Sequence, residues 1–212
     1  MHARSPGSWV PVALSQDIPA LAVMPVRFAG ETIALWRSAS GRVTASADRC
    51  PHRGMRLSHG FVRGELLSCI YHGWSYAQSG QCMKIPAHPS LKPPETIRVV
   101  TYTVREQNAV VWVSDGSLTA EPPRLEGLSP LRSMSANIGI EALEASTGAQ
   151  ADDNGLLEIG GLSLLCHAQS ANETLILVLM PDDAGTAQRI AASRAAEALR
   201  RSAETFTSGA AA

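Results

Sequence analysis

From residue 9 to residue 115 the chain is a series of short apolar or alternating runs, each closed by Gly, Ser, Pro or Asp. "WVPVAL", "AVMPVRF", "ETIALWR" and "RVTAS" have the length and residue types of strands. "SASGR", residues 38–42, predicts a hairpin turn between the last two. "IRVVTYTVRE" and "AVVWVS" predict two more strands, with "QN" as their tight connection. The first half therefore reads as all-β.

The texture then changes. "DGSLTAEPPRLEGLSP", residues 115–130, is rich in Pro, Gly and Ser and marks a linker or domain boundary. Beyond it, "SMSANIGIEAL" and "GLLEIGGLSLLCHAQ" read as strands, and "ETLILVLMP" as a buried one. "AGTAQRIAASRAAEALRRSAETF" predicts a helix. Ala187, Ile190, Ala191, Ala195, Ala198 and Leu199 recur at helical spacing and are expected to pack on a small sheet. The tail "TSGAAA" is expected to fray. The expected organisation is a β domain over 1–118, a linker over 119–130 and a small α+β domain over 131–212.

Composition narrows the class. The 212 residues are 45% hydrophobic and 17% charged, which suits a packed core. The longest apolar run, "LILVLM", is far too short to span a bilayer. "MHARSPGSWVPVAL" shows no apolar signal region, so a cytoplasmic protein without a membrane partner is expected. Four cysteines without an export signal favour metal binding or plain burial over disulfides. Residues 1–118 carry 12 Lys/Arg against 7 Asp/Glu, and residues 119–212 carry 6 against 12. The first part is too mildly basic, and too poor in aromatic–basic clusters, for a nucleic-acid partner.

The chemistry is concentrated in "CPHRGMRLSHGFVRGELLSCIYHGW", residues 50–74. Cys50 and His52 are two apart, Cys69 and His72 three apart, and 16 residues separate the pairs, room for a return strand or two. Scattered core residues explain such regular pairs poorly. A Cys₂His₂ zinc site is a rival, but zinc sites usually pair like with like. A two-iron cluster suits mixed pairs better, because thiolates hold one iron and imidazoles the other. Gly54 and Gly73, just after each pair, permit backbone conformations and close approaches that a side chain would block.

C-x-H-x₁₆-C-x₂-H, set in "CPHRG" and "CIYHGW", resembles the Rieske [2Fe–2S] motif. More narrowly, "HRGMRLSHG", "YHGWSY", "SGQCMKIPA" and "VREQNAVVWVSDG" resemble, in order, the Rieske domain of the non-haem iron aromatic-ring hydroxylating and demethylating oxygenases. The likeness spans roughly residues 9–116. It implies a mainly β fold, a Rieske β-sandwich with two metal-binding loops. It also implies Cys50 and Cys69 on one iron and His52 and His72 on the solvent-facing iron. Arg53, Gly54, Tyr71, Gly73 and Trp74 are the expected surrounding residues. Tyr76 is a candidate wall or hydrogen-bond partner, and core packing is the expectation for Trp74. The respiratory Rieske proteins carry an extra cysteine in each loop, which positions such as Met55 and Tyr71 do not provide. That suggests the oxygenase type and a potential near about −150 mV. Arg49, Arg53, Arg56 and Arg63 would favour the reduced cluster and attract an acidic ferredoxin-like donor. His59 is not expected to be a ligand, and Cys82 and Cys166 are expected to be buried thiols.

Members of that family hold a second, mononuclear iron in a helix-grip domain, on two histidines and a carboxylate. Beyond His72 there are only His88 and His167, 79 residues apart. The expectation is therefore no mononuclear Fe(II) site, and a shortened helix-grip-like remnant ending in a long helix. Three functions remain open. The first is an electron-transfer component fed by a ferredoxin or flavin reductase, passing electrons to an oxygenase α subunit in a hetero-oligomer. The second is a self-contained oxygenase with an unrecognised iron site. The third is a non-catalytic assembly or regulatory Rieske subunit.

Overall fold

The structure, a computed structural model, describes residues 8–116 and 121–209. Residues 117–120, where the expected linker begins, and 210–212 of the expected frayed tail lie outside the described residues. The first strands are β1 (Val10–Leu14), β2 (Val23–Phe28), β3 (Glu31–Arg37), β4 (Val43–Ala47), β5 (Phe61–Arg63), β6 (Leu66–Ser68), β7 (Ser75–Tyr76) and β8 (Cys82–Lys84). Then come β9 (Thr101–Gln107), β10 (Val110–Ser114), β11 (Leu128–Ala136), α1 (Ile140–Thr147), β12 (Leu156–Ile159), β13 (Leu162–Ser170), β14 (Glu173–Pro181) and α2 (Thr186–Gly209). No helix among the described residues is long and apolar enough to cross a membrane.

The chain divides into two compact units. One comprises residues up to 10, 15–106 and 111–121; the other comprises 11–14, 107–110 and from 122 on. The first unit contains five strands of a six-stranded sheet, in the order β10-β9-β4-β3-β2. Pro25, which has no N–H to give a ladder, lies on the edge strand β2. The turn between β9 and β10 is Asn108–Ala109, one residue later than "QN". Both residues have positive φ (51° and 54°), the twist that suits a two-residue hairpin.

The same unit holds a second, smaller sheet in sequential order β5-β6-β7-β8. This meander fills and flanks the spacer between the two Cys/His pairs. Phe61 faces Ser68 and Arg63 faces Leu66 across the β5–β6 hairpin, so β6 runs directly into Cys69. Gly60 approaches β6 so closely that a Cβ on it would sit 2.2 Å from the Ser68 carbonyl oxygen.

The second unit is a four-stranded antiparallel sheet, β11-β14-β13-β12, with both helices. β11 already begins at Leu128, inside the Pro/Gly/Ser-rich stretch. Two expectations are corrected here. "SMSANIGIEAL" is a strand only to Ala136. From Ile140 it becomes α1, which buries Leu143 and ends at Gly148, whose N–H bonds to the Glu144 carbonyl. In α2 the buried positions are Ala192, Ala196 and Ala203, with Leu199 half-buried beside them. Ala187, Ile190, Ala191, Ala195 and Ala198 are exposed. An alanine-rich helix has apolar residues on every side, so small-residue spacing alone does not orient it. Cys166 is a core thiol, as expected, and burial pushes its pKa up to about 12.

Candidate metal centre

The two Cys/His loops close by the same hydrogen-bond scheme. In loop 1 the Cys50 N–H donates to the Met55 carbonyl (2.8 Å) and the Gly54 N–H donates back to the Cys50 carbonyl (2.8 Å). In loop 2 the Cys69 N–H donates to the Trp74 carbonyl (2.9 Å) and the Gly73 N–H to the Cys69 carbonyl (3.0 Å). Each tight turn needs a left-handed residue four positions after its cysteine, and Gly54 (φ +71°) and Gly73 (φ +70°) supply it. A Cβ on Gly73 would also meet Pro86 Cγ at 2.9 Å. Around Gly54 the nearest atom is an arginine nitrogen at 3.9 Å, so the close approach expected there is absent and only its conformation matters.

This geometry sorts the four donors into two poles. Cys50 and Cys69 are 2% and 1% exposed, inside an apolar cluster with Trp36, Leu57, Leu67, Tyr76 and Cys82. His52 is half-buried and His72 exposed, with ring centroids 4.6 Å apart. Among the described residues, no three His, Cys, Asp or Glu side chains are gathered as one metal ion would require. A thiol pair beside an imidazole pair is a donor set for two metals of different ligand preference.

Further observations fit a metal at this place. His52 Nδ1 is buried with no hydrogen-bond partner. An orphaned buried acceptor is costly unless something else satisfies it. Burial pushes the Cys69 thiol up and neighbouring Cys50 adds to this, while the backbone N–H groups of Tyr71 and His72 pull it back. Those N–H groups are placed to stabilise a thiolate. Burial, then His72 and Arg53, lowers the His52 pKa and favours the neutral, ligating imidazole.

The surrounding residues divide by role. Trp74 is half-buried and packs against the apolar cluster, as expected, and it also stacks on His52 at 4.3 Å and 3°, which holds the imidazole plane. Tyr71 lies 3.9 Å from His72 between ring centroids and is 60% exposed, as is its neighbour Ile70 at 56%. Arg53 is exposed beside His52. Arg56 reaches Asp48 at 3.9 Å, and Arg63 lies over the Phe61 ring at 4.8 Å, so neither is a free surface charge. Cys82 is buried, burial raises its pKa, and its Sγ faces the Lys84 carbonyl (3.6 Å). His59 is exposed.

Two residues matter more than the spacing suggested. Asp48, 4% exposed, accepts from the Ser58 N–H (2.6 Å) and the Ser58 hydroxyl (2.8 Å), which ties the entry of loop 1 to the turn before β5. The Tyr76 hydroxyl is 3.0 Å from Cys50 Sγ. Burial and that sulfur hold the phenol well above its usual range, so it stays protonated and can donate to Cys50 when that sulfur is a thiolate. A hydrogen bond to a cluster sulfur favours the reduced state. Tyr76→Phe is therefore expected to lower the midpoint potential by roughly 40 mV, about 1 kcal/mol for one electron. Redox titration in the visible band checks this, with the iron content unchanged.

The comparisons agree with this geometry. Residues 8–102 match the model of the Rieske [2Fe–2S] domain. "Oxidoreductase NdmD" of Pseudomonas putida is 40% identical over 123 residues, 58% of this chain and 21% of that protein. The 3-chlorobenzoate-3,4-dioxygenase oxygenase subunit of Comamonas testosteroni is 38% identical over 126 residues, 57% of this chain and 29% of that protein. The chain thus spans less than a third of the length of these two relatives. The structure of apo dicamba monooxygenase superposes with a TM-score of 0.74 over 94% of this chain and 84% of that one, at 16% identity, a likeness of fold. The matched model, these relatives and the paired donors point one way: residues 8–102 belong to the Rieske [2Fe–2S] domain family, and the chain is a relative of the Rieske non-haem iron oxygenases.

Proposed function

We propose that the chain is the electron-transfer component of a non-haem iron oxygenase system. It would take single electrons from a ferredoxin or flavin reductase and pass them to a mononuclear iron on a partner subunit. When bound on Cys50, His52, Cys69 and His72, the cluster would supply a one-electron store. One observation carries this reading: the thiol pole is buried and the imidazole pole opens to the surface at His72 and Tyr71. An electron partner reaches an exposed imidazole edge far more readily than a sulfur inside an apolar cluster.

The chain's own residues would do the rest. Tyr76 and the amides of Tyr71 and His72 stabilise thiolate charge. Trp74 keeps the His52 ring in plane. Exposed Arg49 and Arg53 give the donor-facing surface a positive potential, which steers an acidic donor and weakens with salt.

The lack of a mononuclear iron in this chain is part of the same proposal. Stopped-flow mixing of the reduced protein with its co-purifying oxygenase tests it. Reoxidation at a rate that depends on oxygenase concentration supports the reading. No transfer to that oxygenase would rule out a carrier and leave a structural or regulatory cluster.

A further inference from the structure

The second unit contains a cationic groove that the metal centre does not use. Its volume is about 340 Å³, and Arg132, Ser193, Arg194, Glu197, Ala198 and Arg201 line it. Small-molecule sites begin at roughly this size (~300–1,000 Å³).

Arg132 reaches the groove through a break in the sheet. The register between β11 and β14 shifts between Pro130 and Arg132, so Pro130 pairs with Leu179 and Arg132 with Val178 while Leu131 is extra. Such bulges re-aim side chains and recur next to binding sites. Arg189 pins this bulge from α2, donating to the Pro130 carbonyl (2.8 Å) and the Ser129 hydroxyl (3.4 Å). Arg132 itself donates to Ser193 Oγ (3.3 Å). A strand arginine and arginines from two helix turns thus converge on one concave surface.

The charges do not cancel. Glu197 is the one carboxylate among the lining residues, and it is already taken. Arg200 grips both its oxygens (2.7 and 3.2 Å), and Arg201 donates to one of them (2.9 Å). These guanidinium groups hold its carboxyl down to about 2, so it stays ionised and paired. Arg200 also bonds both oxygens of Glu204 (2.8 and 2.7 Å). Neither Arg132 nor Arg194 has a carboxylate partner among the described residues. Arg132 and Arg194 both line the groove without a carboxylate partner among the described residues, and a guanidinium's planar fork matches a carboxylate. Ala198 and the arginine stems make most of the wall apolar.

We propose that this groove binds a small organic monocarboxylate, with its charged end between Arg132 and Arg194 and its apolar body over Ala198. This rests on the second unit alone and is independent of the electron-transfer reading. The test is calorimetric titration of the full-length protein with hexanoate, hexanamide and inorganic phosphate. Hexanoate is expected to bind saturably, and hexanamide at least about tenfold more weakly. Arg132→Gln and Arg194→Gln are each expected to weaken hexanoate by about tenfold or more, with the visible spectrum unchanged. The Arg194 side chain makes no hydrogen bond or ion pair among the described residues, so its variant does not confuse binding with folding. Three results would overturn the proposal: equal binding of acid and amide, undiminished hexanoate binding by Arg194→Gln, or no saturable binding. Phosphate binding as tight as hexanoate would reject the carboxylate class.

Discussion

Cys69→Ser is expected to yield a colourless protein whose bound iron falls from about two per chain to near zero. Cys69 sits 1% exposed in an apolar cluster, and its thiol shares that space with Cys50. A serine hydroxyl is nearly isosteric but is a hard, weakly acidic donor, a poor substitute for a thiolate on iron. Burial alone does not explain the loss, and Cys82 shows why. It is equally buried in the same cluster, and Cys82→Ser meets a similar desolvation penalty. If Cys69 is a ligand and Cys82 is not, only the first variant loses the cluster, and it also loses the stability that the bound cluster confers. Metal analysis and the visible spectrum, read beside thermal unfolding, separate the two effects. Equal loss of iron in both would mean that packing holds the site together.

The second large effect is expected far from any ligand. Gly60→Ala should destabilise the first unit by about 3 kcal/mol or more and strip the cluster with it. Gly60 has φ −80°, a conformation open to any residue, so the glycine is not there for its backbone freedom. It is there because a Cβ would lie 2.2 Å from the Ser68 carbonyl oxygen and 2.9 Å from that of Leu57. Neither is the tip of a flexible side chain; both belong to backbone. Ser68 immediately precedes Cys69, so relief of the clash displaces loop 2 from loop 1. Gly64→Ala is the control. It has φ +58° and nothing within 4 Å of its Cβ, so only conformational strain of about 1–2 kcal/mol applies. Thermal melts should show the Gly60 variant falling further, by roughly 4–8 °C per extra kcal/mol. A Gly60 variant as stable as the Gly64 variant would mean that β6 yields without cost.

The contrast between Gly54 and Gly60 shows what is legible in a sequence. Gly54 and Gly73 stand at fixed offsets from Cys50 and Cys69, so the local pattern that suggests the loops also suggests the glycines. Gly60 looks like an ordinary turn residue. Its constraint comes from β6, which folding brings against it. The longer strands of the first half were equally readable, because alternation and turn residues are local; β7 and β8, two and three residues long, carry no such pattern and were not. α2 was located, but its buried face was not, since Ala192 and Ala196 differ from Ala191 and Ala195 only in what they face. α1 was missed because "IGIEAL" is as apolar as a strand and its helix rests on Gly139 and Gly148 as caps. Trp74 was placed by its motif, yet its stacking on His52 depends on how the two loops meet. The cationic groove left no motif, because Arg132 and Arg194 come to line one surface only through the bulge and the docking of α2.

Cys50, His52, Cys69 and His72 are proposed to hold one two-iron cluster, with no further iron on this chain. Counting iron and acid-labile sulfide in anaerobically purified protein tests it most directly. The expected result is about two irons and about two sulfides per chain. A single metal ion without sulfide would contradict the cluster, and a third iron would contradict the electron-carrier role in favour of a self-contained oxygenase.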